Sequence, residues 1–220
     1  MTAHNPRTNG LQAATTATTA GTGSGESCFF TMFDAAHAAR VASWVRTERE
    51  LAWLAPATPP PLTPEKVVGW ADQGRSRRFL FWTAPQSGPI GYSELNPMPN
   101  DPRLLWIGHF VIDPAWRGRS LGSSLAGALL ATAFRHYRAT EVVLVVVPEN
   151  VAAVRCYERA GFMPTGRESK FFETTQREYT FLRMSMLQAR YRQLAAAGRL
   201  PSEATPFLPL DRIPLRPGGQ

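Results

Sequence analysis

The chain has 220 residues, is 44% hydrophobic and 19% charged, and sets 24 Lys and Arg against 17 Asp and Glu, a formal charge of +7. This length predicts one domain, or one domain with tails, no apolar run nears the ~20 residues of a membrane helix, and MTAHNPRTNG lacks the apolar stretch of a secretory signal. Two cysteines, Cys28 and Cys156, are too few for a disulfide framework or a Cys-rich zinc site, so the expected compartment is the cytoplasm.

Residues 1–27, rich in Thr, Ala and Gly without apolar periodicity, read as a disordered tail. Residues 28–190 read as the folded domain and 191–220 as a Pro-rich C-terminal extension. Within the domain, Asp34 to Trp53 predicts one helix, with Asp34 as N-cap and Val41, Trp44, Val45 and Leu51 at helical spacing. The run Pro59-Pro60-Pro61 stops it. Thr63-Pro64-Glu65 opens a second helix running to about Gln73. Three strands follow: Arg78–Thr83, Ile90–Leu95 and Leu104–Ile112. A turn at Pro85–Gly88 and a loop over Asn96–Arg103 separate them, which predicts an antiparallel meander. Beyond Asp113-Pro114 and the loop Ala115–Arg119, Leu121 to Tyr137 predicts a long helix. Glu141–Val147 is a branched run of the kind buried on both faces, completing a βαβ crossover. A short helix at Val151–Ala160 ends at Gly161. Phe162–Arg167 and Glu178–Met186 make a final hairpin. The fold class is therefore α/β (α+β), a mixed and mostly antiparallel sheet flanked by helices.

The positive charge is dispersed. Its densest cluster, Arg75, Arg77 and Arg78, reads as a solvated loop. No Lys/Arg block and no basic face with stacking aromatics stands out, so nucleic acid is not an expected partner. Two segments carry chemistry. In FVIDPAWRGRSLG, Phe110 to Gly122, a strand stops, a basic Gly-bearing loop follows and a helix begins. Helix N-termini bind anions, because their first N–H groups lack internal partners at the positive end of the dipole. A surface turn with two solvated Arg is the plainer reading of that loop. Neither Gly-x-Gly-x-x-Gly nor the nucleotide-binding Gly-x-x-x-x-Gly-Lys-Ser/Thr is present. In VPENVAAVRCYERAGF, Asn150 sits where it caps the short helix or faces a ligand. Tyr157, two turns later, lies on the same face. Cys156 beside it reads as a packed apolar residue rather than a nucleophile.

Together these segments resemble the GNAT superfamily of acetyl-CoA-dependent N-acetyltransferases. The family's pyrophosphate loop, Arg/Gln-x-x-Gly/Ala-x-Gly/Ala before a long helix, reads here Arg117-Gly118-Arg119-Ser120-Leu121-Gly122. The fourth position is Ser, which implies less backbone freedom without lost binding. The family's Asn-x-x-Ala-x-x-x-Tyr-x-x-x-Gly-Phe is matched by Asn150, Ala153, Tyr157, Gly161 and Phe162. The resemblance spans about residues 28–187. It implies a splayed central strand pair, with acetyl-CoA as acyl donor and no metal. Residues 117–122 would hold the pyrophosphate, and Phe110, Val111 and Ile112 would offer backbone groups to the pantetheine and the acetyl carbonyl. Asn150 would bond the pantetheine arm, and Tyr157 would protonate the departing thiolate.

The implied reaction is direct attack of a neutral primary amine, on a small molecule or a protein N-terminus, upon the thioester. Many relatives carry a Glu on a central strand as base. The 141–147 strand offers only Val at its middle. Glu94, weighed first, and His109 are the remaining catalytic candidates, and a water chain without a dedicated base is a third option. The missing Glu also leaves open a non-catalytic CoA-binding or regulatory module on the same fold. A homodimer formed through the C-terminal segment is a further possibility.

Overall fold

The computed structural model describes residues 28–70, 76–84, 86–201 and 205–206. The expected tail at 1–27, the last residues of the helix expected to reach Gln73, and residues 207–220 lie outside the described residues.

The chain enters with a strand that the sequence did not suggest, β1, Phe29–Met32. Asp34 caps as expected, its carboxylate accepting from the Ala36 N–H, but it starts only a 3-10 turn that leads into α1, Ala38–Ser43. The single helix expected over 34–53 is broken. A second helix, α2, Glu48–Leu54, starts at its own cap, the Thr47 hydroxyl accepting from Glu50 N–H at 3.1 Å. The Thr-x-x-Glu spacing of a helix start was legible there. Helix α3, Pro64–Gly69, is capped by Thr63 as expected.

Strands β2, Arg77–Trp82, β3, Gly91–Met98, and β4, Asp101–Ile112, form the meander. The loop expected over 96–103 is mostly strand, and only Pro99 and Asn100 turn. Pro97 and Pro102 sit near the tip of the hairpin, where a missing N–H costs the ladder little. Helix α4, Leu121–Ala131, finishes in a π-helical turn over Thr132–His136. Strand β5, Glu141–Val146, helix α5, Val151–Arg159, and the hairpin β6, Met163–Phe172, and β7, Arg177–Leu187, follow in the expected order. Helix α6, Gln188–Ala196, crosses residue 190, where the extension was expected to begin, and buries Tyr191 against Phe134. A two-residue strand, β8, Thr205–Pro206, pairs parallel to β1.

The sheet runs β6-β7-β5-β4-β3-β2-β1-β8. It is antiparallel except between β4 and β5 and between β1 and β8. Alternation along β2 builds two cores. Phe79 and Phe81 pack with α4 and α5 on one face, and Leu80 packs with α1 and α3 on the other. Each such buried ring stabilises the fold by roughly 1.5–3 kcal/mol.

Helix α5 closes in a Schellman turn, in which Gly161 N–H bonds Glu158 O and Phe162 N–H bonds Tyr157 O. Gly161 has φ +96°, and a Cβ there would lie 2.6 Å from Leu194 and 2.8 Å from Met186. The glycine is thus required both by the turn and by α6.

Candidate active site

Strands β4 and β5 are paired only at Leu104–Glu141, Leu105–Val142 and Trp106–Val143. Beyond that point β4 stays with β3 as far as Ile112, while β5 stays with β7 as far as Val146. The two central strands therefore part, as the resemblance implied. The gap is bordered by the second half of β4, where Phe110, Val111 and Ile112 lie.

A bulge in β4 shapes one wall of the gap. Glu94 pairs with Gly108 and Tyr92 with Val111, so His109 and Phe110 together oppose Ser93. His109 takes a left-handed backbone, φ 43°. Strict alternation would put His109 on the face opposite Glu94. The bulge returns it to Glu94's face, where its Nδ1 lies 3.1 Å from Glu94 Oε1.

Glu94 is only 1% exposed and has four polar neighbours. The Tyr92 hydroxyl donates to Oε1 and the Asn96 amide donates to Oε2 at 3.2 Å. Arg78 Nε stands 3.8 Å away and donates to the Tyr92 hydroxyl at 2.7 Å. Burial alone would push the Glu94 carboxyl up. The contacts from His109, Tyr92 and Asn96 outweigh it and hold the group below the usual carboxylate range. Burial, with the Glu94 charge beside it, drives the Tyr92 phenol far up, so Tyr92 stays protonated.

Arg78 corrects the reading of its cluster as a solvated loop. It is 9% exposed, and its guanidinium also donates to the last carbonyls of α3, those of Val67 and Val68. A cation at that helix end meets the negative end of the dipole. The missed signal was the position of Arg78 opposite Glu94 on the neighbouring strand. The last member is Trp70, which follows α3 and stacks flat on the His109 ring, centroids 4.1 Å apart and planes 7° apart.

On the other side, the loop before α4 has the form of an anion cradle. Gly118 at φ 79° and Ser120 at φ 60° are both left-handed and flank Arg119. Such alternation turns successive N–H groups toward one point. Ser120 places no side-chain cap on α4, so the first-turn N–H groups of Leu121 and Gly122 face the loop side without an intrahelical acceptor.

Three sequence expectations acquire different reasons here. Arg117 is not aimed outward. It donates to Glu50 Oε1 at 2.6 Å, to Ile112 O at 3.1 Å and to Trp44 O at 3.3 Å, and so ties the loop to α1 and α2. The Ile112 carbonyl is thereby occupied, and Val111 is paired with Tyr92 of β3. Gly122 is small because α5 is close, since a Cβ there would lie 2.9 Å from Cys156 Sγ. Arg119 is exposed in the same loop, with its guanidinium over the Trp116 ring at 4.9 Å.

Ser120 holds a backbone conformation that costs an L-residue roughly 1–2 kcal/mol. Ser120→Gly is expected to raise stability by about 0.5–1 kcal/mol after the glycine's own entropy is counted, as a higher denaturation midpoint.

Helix α5 supplies the far wall. Asn150 caps it, Oδ1 accepting from Ala153 N–H at 3.2 Å, which leaves its NH2 to donate to a ligand. Tyr157 is buried, edge-on to Phe110 of β4 at 5.7 Å and to Phe162 at 5.9 Å. Burial, and then the neighbouring Cys156, raises its phenol well above the ordinary value. Cys156 packs against α4 as expected, and burial pushes its thiol up, away from nucleophilic use. Among the described residues no group of three or more His, Cys, Asp or Glu is arranged to hold a metal ion, and no helix is long and apolar enough to cross a membrane.

A pocket of about 270 Å³ opens between α2, the 56–60 segment and the β6–β7 turn. Thr174 and Thr175 hold that turn onto the carbonyls of Ala57 and Pro56.

A family model described as Acetyltransferase (GNAT) family matches residues 39–162. The chain is 31% identical over 62 residues to the spermine/spermidine N(1)-acetyltransferase of Bacillus subtilis (strain 168), a match spanning 28% of this chain and 41% of that protein. It is 33% identical over 66 residues to an aminoglycoside N(6')-acetyltransferase type 1 of Klebsiella pneumoniae, spanning 30% of this chain and 33% of that one. The chain thus matches less than half the length of these curated relatives. Among solved structures, a spermidine N-acetyltransferase from Vibrio cholerae in complex with CoA and spermine superposes with a TM-score of 0.64 at 20% identity, covering 76% of this chain and 99% of that one. An aminoglycoside acetyltransferase in complex with coenzyme A gives 0.59 at 18% identity, covering 77% and 99%.

Proposed function

Because the chain belongs to the acetyltransferase (GNAT) family, we propose that it transfers the acetyl group of acetyl-CoA to a primary amine by direct attack. The observation that carries this reading is the gap where β4 and β5 part, with Tyr157 on one side and the His109–Glu94 pair on the other.

The left-handed turns at Gly118 and Ser120, the first N–H groups of α4 and the Arg119 guanidinium hold the pyrophosphate. Arg117 stiffens that loop through Glu50 instead of meeting the anion. The Asn150 NH2 and the backbone of Phe110 bond the pantetheine arm and the acetyl carbonyl.

His109, rather than Glu94, takes the proton. Its side chain is 24% exposed against 1% for Glu94, and Glu94 Oε1 lies against its Nδ1. Nε2 is then the nitrogen that accepts from the amine. The buried carboxylate fixes the tautomer and balances the positive charge that forms. The amine nitrogen bonds the carbonyl carbon as His109 removes one N–H proton. The C–S bond breaks, and the thiolate takes its proton from the Tyr157 hydroxyl. No Glu is needed on β5.

A small-molecule amine is the preferred acceptor. The pocket beside α2 is of small-ligand size, and the relatives above are named for small amines. Two buried free cysteines fit a reducing cytoplasm.

Titration calorimetry with acetyl-CoA should give one-site binding, and a thiol-release assay across primary amines should give turnover. Binding without turnover on any amine would make the protein a CoA-binding module. No binding at millimolar acetyl-CoA would remove the reading altogether.

A further inference from the structure

We propose that Trp70 is a positioning residue for this reaction, fixing the plane of the His109 imidazole and tying it to the wall of the neighbouring pocket. The inference rests on His109 being the base, as argued above.

The χ2 torsion of a histidine is broad, so nothing in the side chain itself sets the plane of the ring. The approach of Nδ1 to within 3.1 Å of Glu94 Oε1 places one edge of the ring beside the carboxylate but does not set its plane. A flat stack at 4.1 Å and 7° removes that freedom. Edge and face together determine where Nε2 points.

Trp70 is itself held at both ends. Its Nε1 donates to the Thr58 hydroxyl at 3.0 Å, and Thr58 lines the pocket of about 270 Å³ together with Pro59, Pro60, Leu51 and Tyr179. Its backbone ends α3, where its N–H donates to Val67 O at 3.4 Å. The carbonyls of Val67 and Val68 receive Arg78. The contacts close on themselves: Arg78 to Tyr92 and Glu94, Glu94 to His109, His109 to Trp70, and Trp70 through α3 back to Arg78. The charged and titratable groups in this ring of contacts are Glu94, which faces the imidazole, and Arg78 and Tyr92 behind it. Trp70 adds no charge and acts through shape. A misplacement near 1 Å at a reacting group costs on the order of 100-fold in rate, so a residue that only orients the ring has a large effect on kcat.

Two measurements on the full chain test this. In steady-state kinetics, Trp70→Leu is expected to lower kcat by roughly 10- to 100-fold with the acetyl-CoA KM held within about 2-fold, and Trp70→Phe, which keeps an aromatic face, to recover most of the loss. In proton NMR, the His109 ring C–H signals, assigned by their absence in His109→Gln, should lie upfield in the wild type from the indole ring current. They should lie less far upfield in Trp70→Phe and lose the shift in Trp70→Leu. The NMR readout needs no turnover, so it separates this inference from the proposed reaction. An inactive wild type overturns the reaction, whereas His109 signals unmoved by either substitution overturn the stack. Should Trp70→Leu not fold, wild type and Trp70→Phe still decide it. Kinetics unchanged by the loss of the stack would overturn the positioning role.

Discussion

His109→Gln is expected to lower kcat by roughly 100- to 10,000-fold while acetyl-CoA binds as before. The range is that of a general base removed from a reaction whose other parts remain. Gln keeps the approximate size of the side chain and can still face Glu94, so the loss reads proton transfer more than packing. Glu94→Gln should cost less in kcat and much more in stability. In the proposed reaction the carboxylate does not take the proton, but it is the anion that Arg78 faces in the interior, and breaking one partner of a buried pair costs about 3–5 kcal/mol. The double variant should lose little more activity than His109→Gln alone, because the two residues act as one unit. If Glu94 were itself the base, the order of the two kcat losses would reverse.

The same pair predicts a pH dependence of stability. The Glu94 carboxyl is held below its ordinary value of 4.5 in the folded chain. Its contribution is therefore complete above that value and is lost as pH falls through the lower folded one. Acid unfolding followed by circular dichroism should show wild type losing stability below about pH 4.5. Glu94→Gln should start less stable and lose less over the same range.

The order of elements from β2 to β7 was legible because each carries its own local signal. Thr63-Pro64 opens a helix, the Val run of 141–147 marks a buried strand, and Gly161 ends α5. Much of the second motif records local structure. Asn150 caps, Gly161 turns and Phe162 covers Tyr157. That is why it could be read from spacing. The base could not. Whether His109 meets Glu94 depends on a bulge, and a bulge shifts register by one residue without a composition of its own. Arg78 and Trp70 belong to the same site through a cross-strand pair and a helix end, contacts that no local window contains. Arg117 was visible as a motif residue, yet its partner Glu50 lies on a helix whose start was merged into the one before it.

Tyr157→Phe is the cleanest test of the other half of the reaction, with kcat expected to fall by roughly 100-fold, the lower end of general-acid effects. The lower end applies because a thiolate is a good leaving group, so protonation assists departure without being indispensable. The ring is buried between Phe110 and Phe162, and phenylalanine preserves both edge contacts, so folding and acetyl-CoA affinity should hold. The phenol is held well above its ordinary value, first by burial, and therefore stays protonated across the neutral and mildly alkaline range. The wild-type acid does not titrate away where the assay is run. Unassisted departure of the thiolate does not titrate there either, so the deficit of Tyr157→Phe should stay constant from neutral to mildly alkaline pH. A kcat unchanged in Tyr157→Phe would remove the hydroxyl from the leaving-group step.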